Sequence, residues 1–455
     1  MTAAAADRPR CPVGRSPRRT ENTLSPRSKL VLAAGLLLTA GPALATNGMR
    51  LPSFGAVQGS MGGASAAAPL DGATLISNPA GLSALDARLD ASISYFKPSV
   101  DYQASESPLP AGFTGAVVAQ PGKVLESQRG ASPLPALAAV IPLSGGLTLG
   151  VGAFAVAGMG VDYAQNLYGG VTYSSYSQMR FAPGLAYRLT DWLSIGATAN
   201  VMYANMGYDA PEGMLQVSHQ AASAFGVGGT VGVQVQAMKG LTFGAAYESK
   251  SFFQDFKFNI PAHQPLDPST GFPAVDQNGQ PVILPASVDS IAFNQPSSFT
   301  AGLAWNAFEP LTLAGDVQLI RWSESNGLNL PAYNSDVRQT GAMPFNLNWN
   351  DQWVFKLGAQ YRVSKLLALR AGYNYGKSPL DASRPFENIA FPAVAEHHIT
   401  AGFGLDLSDR FSVALAGMYV PESKVTGSNP QQQFIASYQA TMSQFAVDMS
   451  VGYRF

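Results

Sequence analysis

The feature that most constrains this chain is how its stretches of strict two-residue alternation are joined. Very short turns alternate with long connections, without exception. The alternation is plainest from Trp353 to Val363. There Trp353, Phe355, Leu357, Ala359, Tyr361 and Val363 share one face, while Lys356, Gly358, Gln360 and Arg362 share the other. A period of two is that of a strand, not a helix. Comparable stretches occupy about 88–100, 135–142, 147–159, 177–189, 193–206, 224–237, 241–251, 298–308, 311–321, 353–363, 367–375, 397–407, 411–420 and 441–455. Most run to the length a tilted strand needs to cross a hydrocarbon layer, longer than the usual five or six residues of soluble strands. Tight turns fall at Ser144-Gly145-Gly146, Thr190-Asp191, Met238-Lys239-Gly240, Glu309-Pro310, Ser364-Lys365 and Ser408-Asp409-Arg410. Between them come long connections near 101–134, 160–176, 207–223, 252–297, 322–352, 376–396 and 421–440. A membrane barrel segregates its connections in this way, short on the periplasmic side and long outside. The pattern predicts an all-β fold, a 14-stranded antiparallel transmembrane β-barrel, with both ends of the barrel chain on the periplasmic side.

Composition agrees. Only 13% of residues are charged, against roughly 25% in soluble domains. No apolar run after position 45 approaches the roughly 20 residues of a membrane helix. The start of the chain reads as an export signal, residues 1–45. Arg8, Arg10, Arg15, Arg18, Arg19, Arg27 and Lys29 precede the apolar run Leu30 to Ala40, and Ala43-Leu44-Ala45 fits a small-residue cleavage site. Without that segment 21 basic and 27 acidic residues remain, a balance that argues against nucleic acid as a partner. The one cysteine, Cys11, lies in the same segment, which excludes disulfides and thiolate chemistry from the mature chain. The histidines, His219, His263, His397 and His398, form no metal-ligating spacing, so neither metal nor cofactor is expected. No nucleophile motif flanks His397-His398, which disfavours an enzyme such as a lipase.

Residues 46–87 differ from everything that follows. Phe54 to Ala68 is almost wholly small residues, and between Thr46 and Leu85 the only charges are Arg50 and Asp71. A disordered tail would carry more charge and fewer apolar groups. Small side chains instead suit close packing, and the natural place is inside the barrel (88–455) as a hatch. Asn78-Pro79 followed by Gly81 reads as a turn or helix start.

The run ending in Ser77-Asn78-Pro79-Ala80-Gly81-Leu82 resembles the fatty-acid and aromatic-hydrocarbon outer-membrane transporter family, whose members include the long-chain fatty acid transporter and the toluene and xylene uptake channels. Thr46-Asn47-Gly48, Glu396 to Gly404 and the terminal Phe455 are similar to that family too, so the resemblance covers about 46–455. It implies fourteen strands and an N-terminal hatch of about forty residues carrying Asn78, Pro79 and Ala80. It also implies capture of hydrophobic substrate by outer loops, and exit sideways through a gap in the wall. It further implies that Phe455 is read by the barrel-assembly machinery.

The expected function is diffusional uptake of hydrophobic molecules, whether long-chain fatty acids, hydrocarbons or detergent-like lipids. The expected setting is a monomer among the lipid and lipopolysaccharide of a Gram-negative outer membrane. Phe252, Phe253, Phe256 and Phe258 crowd the start of the longest outer connection and are the candidate capture surface, or else part of the aromatic girdle. Asp316, Lys356, Arg362, Arg370, Asp448 and Arg454 fall on the lumen face, where they could hold the hatch, steer an anionic head group or pair with one another. The alternatives are a general porin for polar solutes and a structural or adhesion barrel.

Overall fold

The computed structural model describes residues 47–106, 124–166, 171–212, 215–265, 273–325, 343–344, 347–382, 388, 390–428 and 437–455. The segment 1–45 lies outside them. Fourteen antiparallel strands form the barrel: β1 (Arg88–Glu106), β2 (Ser132–Pro142), β3 (Leu147–Met159), β4 (Val171–Arg188), β5 (Leu193–Glu212), β6 (Leu215–Met238), β7 (Leu241–Glu248), β8 (Ser298–Phe308), β9 (Leu311–Ile320), β10 (Gln352–Arg362), β11 (Leu367–Gly376), β12 (His397–Asp406), β13 (Phe411–Ser428) and β14 (Ser437–Arg454). Each pairs with its neighbours in chain order, and β14 returns to β1 with Arg88 opposite Arg454 and Glu106 opposite Ser437. Pairing the last strand with the first spares the hydrocarbon two open sheet edges, whose unpaired backbone groups it could not satisfy.

The wall sorts side chains by parity. On β10 Trp353, Phe355, Leu357 and Tyr361 face outward, and Val354, Lys356, Gly358 and Gln360 turn in. A charge on the lipid face costs about 2–4 kcal/mol at mid-bilayer, which keeps such groups inside. Several strands run further than their alternation suggests. β5 and β6 continue to Glu212 opposite Leu215, and β13 and β14 to Ser428 opposite Ser437. Much of the connections at 207–223 and 421–440 is therefore strand. Beyond the hydrocarbon both faces can meet water, so pairing persists while the alternation lapses.

Residues 47–87 lie inside the barrel. They form two short helices, α1 (Gly55–Gly59) and α2 (Thr74–Ser77), and a 3-10 turn over Pro79–Ala84. Met49, Ala56, Met61, Ala64, Leu75, Ala80 and Leu82 are inaccessible to solvent. On the long-connection side a small sheet pairs Phe256–Ile260 with Ser287–Ala292, which in turn runs parallel to Met343–Pro344.

Candidate functional site

The inner wall changes character along its length. On β1 the inward residues at the turn end are Arg88, Asp90, Ser92 and Ser94; toward the long connections they become Phe96, Val100 and Tyr102. β14 follows the same trend, passing from Arg454, Ser450 and Asp448 through Ala446 and Gln444 to Met442 and Ala440. Aromatic side chains fill the outer half. Tyr176 meets Phe293 edge-on with centroids 4.9 Å apart, and Trp322 meets Trp349 at 5.0 Å. Both indoles are buried with their N–H groups satisfied, Trp322 donating to Gln352 at 3.2 Å and Trp349 to Asn388 at 2.8 Å. Aromatic packing of this kind pairs apolar area with few, fixed polar contacts.

Below it sits the hatch, held through backbone. Asn78 is fully buried. Its Nδ2 donates to Ala66 O at 2.6 Å and Val233 O at 3.1 Å, and its Oδ1 accepts from Ala80 N at 3.2 Å. Asn78 thus caps the turn that Pro79 opens, a position where proline's missing N–H costs nothing. The Pro79–Ala80 turn lies on inward-facing Gly196, where a Cβ would come within 2.5 Å of Ala80 N. Asp316 Oδ2 accepts from Ser65 N (2.8 Å) and Ala66 N (3.0 Å), and Thr400 Oγ1 accepts from Gly62 N (3.1 Å) and donates to Ser60 O (3.2 Å). Arg50 reaches across the lumen to Glu248 (3.2 Å), Ser298 Oγ (3.1 Å) and Pro296 O (2.7 Å); Glu248 also pairs with Arg180. A buried charge set of this kind is tolerable because its members are paired and hydrogen-bonded.

Between β2 and β3 the wall is interrupted. β2 and β3 pair only from Ala136–Phe154 down to Pro142–Thr148. Past that rung Val156 is an extra residue between Ala155 and Ala157, and β3 leans inward with residues 155–159 buried. The hatch takes up its freed groups. Leu51 N donates to Val156 O at 3.1 Å and Gly158 N to Met49 O at 3.0 Å. Pro133 and Pro135 of β2 have no N–H with which to extend a ladder. Phe54 of the hatch packs edge-on against Phe154 beside this break, centroids 5.9 Å apart.

The family model described as outer membrane protein transport protein (OMPP1/FadL/TodX) matches residues 37–455. The chain belongs to this family. Among solved structures, the Pseudomonas putida toluene transporter TodX is 20% identical, with a TM-score of 0.68 over 89% of this chain and 99% of its own. The Ralstonia pickettii toluene transporter TbuX is 19% identical, with a TM-score of 0.62 over 89% and 99%. A Pseudomonas aeruginosa FadL homologue is 15% identical, with a TM-score of 0.68 over 91% and 100%. At these identities the likeness is one of fold. No curated protein matches the chain by sequence.

In this member of the OMPP1/FadL/TodX family, the residues singled out from sequence fall in different places. Asn78, Pro79 and Ala80 sit together at the hatch–wall contact. Of the four phenylalanines only Phe252 is well exposed (64%); Phe253 stacks on Phe256 at 6.2 Å, and Phe256 and Phe258 are buried. The expectation of one exposed cluster is corrected, because 256–260 is a strand whose even positions point under the small sheet. Asp316 stands directly opposite Lys356 in the β9–β10 register and the two attract, but among the described residues no two of the six charges form a contact ion pair. Asp316 holds the hatch, Lys356 reaches Pro52 O at 3.5 Å, and Asp448 accepts from Ser94. Arg362 and Arg454 share Asp406 at 3.1 and 3.3 Å, and Arg370 donates to Gln360 at 2.7 Å. Arg50, Arg180, Glu248 and Asp406 were not singled out. Arg50 carried a signal, as the one basic residue in a nearly chargeless segment. Among the described residues no group of three or more His, Cys, Asp or Glu is placed to hold a metal ion.

Proposed function

We propose that this outer-membrane transport protein admits hydrophobic molecules, long-chain fatty acids or aromatic and aliphatic hydrocarbons, by diffusion down their gradient. The observation that carries the reading is the division of the lumen. A buried aromatic outer half ends on a hatch, where a polar porin would keep a hydrated passage. Substrate meets the outer surface at Phe252 and Phe253, enters the aromatic half over Phe256, Phe258 and Phe293, and leaves sideways beside Phe54 and Phe154, where β2 and β3 part. TodX and TbuX, both toluene transporters, agree with an apolar cargo. Residues 1–45 serve as a removable export signal, 46–87 as the hatch and 88–455 as the barrel. Phe455, exposed at the end of β14, is the residue offered to the assembly machinery, and the barrel works as a monomer among lipopolysaccharide.

Uptake of labelled oleate and toluene by a deletion strain, with and without this gene, tests the reading. Accumulation of either probe above the empty strain is expected. In planar bilayers the protein should show no large steady ionic conductance; an open-pore conductance with no gain in uptake would establish the porin instead.

A further inference from the structure

On the turn side of α1, between the hatch and the wall, lies a cavity of about 90 Å³ with two unlike ends. Phe54, Phe154 and Ala136 form one end, beside the break between β2 and β3. Arginines crowd the other, toward the periplasmic mouth. Most of them are matched. Arg88 grips Asp90 with two hydrogen bonds (2.6 and 2.8 Å), while Arg362 and Arg454 divide Asp406. Among the described residues Arg370 forms no contact ion pair; Asp71 and Asp406 attract it without touching it. Its Nε donates to the neutral Gln360, and its Nη1 is buried with nothing to donate to. Asp71 shares the cavity but accepts from Gln58 Nε2 and Ala73 N instead. Diagonally across the strand pair stands Gly404, the partner of Ala368, where a Cβ would lie 2.7 Å from Nη1. The wall is bare just where the guanidinium needs room.

An unsatisfied buried N–H on a charged group costs more than a neutral one, and a guanidinium edge matches a carboxylate with two parallel donors. We propose that this cavity is an anion subsite on the periplasmic side of the hatch, in which Arg370 receives the carboxylate head of an amphiphilic acid while its chain lies against Phe54 and Phe154. Resting on the uptake function proposed above, it gives acids a downward route past Arg370 into the periplasm, whereas neutral hydrocarbons have only the sideways one. Arg370 is then a specificity residue and not part of the hatch attachment.

The test uses deletion-strain cells expressing the full chain and two probes with the same tail, decanoate and 1-decanol, at a pH where the acid is ionised. In Arg370→Gln, decanoate uptake falls about tenfold, the effect of losing one charge-assisted contact, and decanol uptake stays within about twofold of wild type. Arg370→Lys recovers part of the decanoate uptake. Gly404→Val, which fills the space beside Nη1 and leaves the charge in place, gives the same selective loss. Barrel assembly is checked by heat-modifiable migration, and Gly404→Val carries the test if Arg370→Gln does not assemble. An equal loss of both probes in assembled protein, or no loss of decanoate, overturns the subsite. Wild-type cells that accumulate neither probe overturn the uptake reading itself, and the subsite with it.

Discussion

At the scale of single residues, Asn78 is the side chain on which most depends. One fully buried amide serves three backbone groups, two carbonyls on separate segments and the N–H of Ala80. Asn78→Ala leaves those groups unmet and is expected to lower the unfolding free energy by about 2–3 kcal/mol. Asn78→Asp is the sharper test. It keeps the acceptor for Ala80 but turns a carboxylate toward Ala66 O and Val233 O, so it should be less stable than Asn78→Ala despite its closer shape. Thermal unfolding in detergent ranks the two; the opposite order would show that volume, not hydrogen bonding, fixes this position.

Asp71 makes a second prediction at this scale. Burial, and then the neighbouring Asp90, pushes its carboxyl from 3.8 up to about 7, with Arg88 and Arg370 pulling the other way. A carboxyl raised in this way keeps its proton in the folded protein over a window where the unfolded chain has lost it. Its contribution to stability is fully present below 3.8, declines as pH rises to about 7, and is level above that. Asp71→Asn retains an Oδ1 to accept from Gln58 and Ala73, so it should flatten the decline without disturbing the hatch. Parallel pH–stability curves for the two proteins would assign the slope to another group.

At the scale of elements, the sequence was most legible where the membrane imposes a rule and least where the partner is another part of the chain. Lipid demands alternation, so the starts of β3, β5, β7, β8, β9, β11, β12 and β13 fall where the pattern put them. Above the hydrocarbon that demand ends, and the extensions of β5, β6, β13 and β14 were hidden for that reason. Inward glycines were illegible in another way. Gly196 and Gly244 look like weak points in strands until the hatch backbone is seen lying on them, Ala80 on the first and Ala66 and Ala67 on the second. Phe256-Lys257-Phe258-Asn259-Ile260 did carry its answer. Its alternation marks a half-buried strand, but the density of aromatic residues there drew the reading toward an exposed surface.

At the scale of the whole molecule, a closed cylinder must somewhere let a hydrophobic solute out, and the break between β2 and β3 is built from few parts. Val156 supplies an extra residue that throws β3 out of register with β4, and the hatch covers the groups this frees. A bulge bends its strand and ends local pairing, and one deletion removes it. Deleting Val156 restores an even count between Ala155 and Ala157, drawing upper β3 back into the wall. It also removes the acceptor of Leu51 N, so the N-terminal part of the hatch is expected to loosen. If the break is the exit, uptake of toluene and decanol should fall by about tenfold or more in a barrel that still migrates as assembled. A loosened hatch alone would raise ionic conductance and leave uptake intact or increased. The two readings therefore move uptake in opposite directions, and measuring uptake and conductance on the same deletion decides between a side door in the wall and a passage under the hatch.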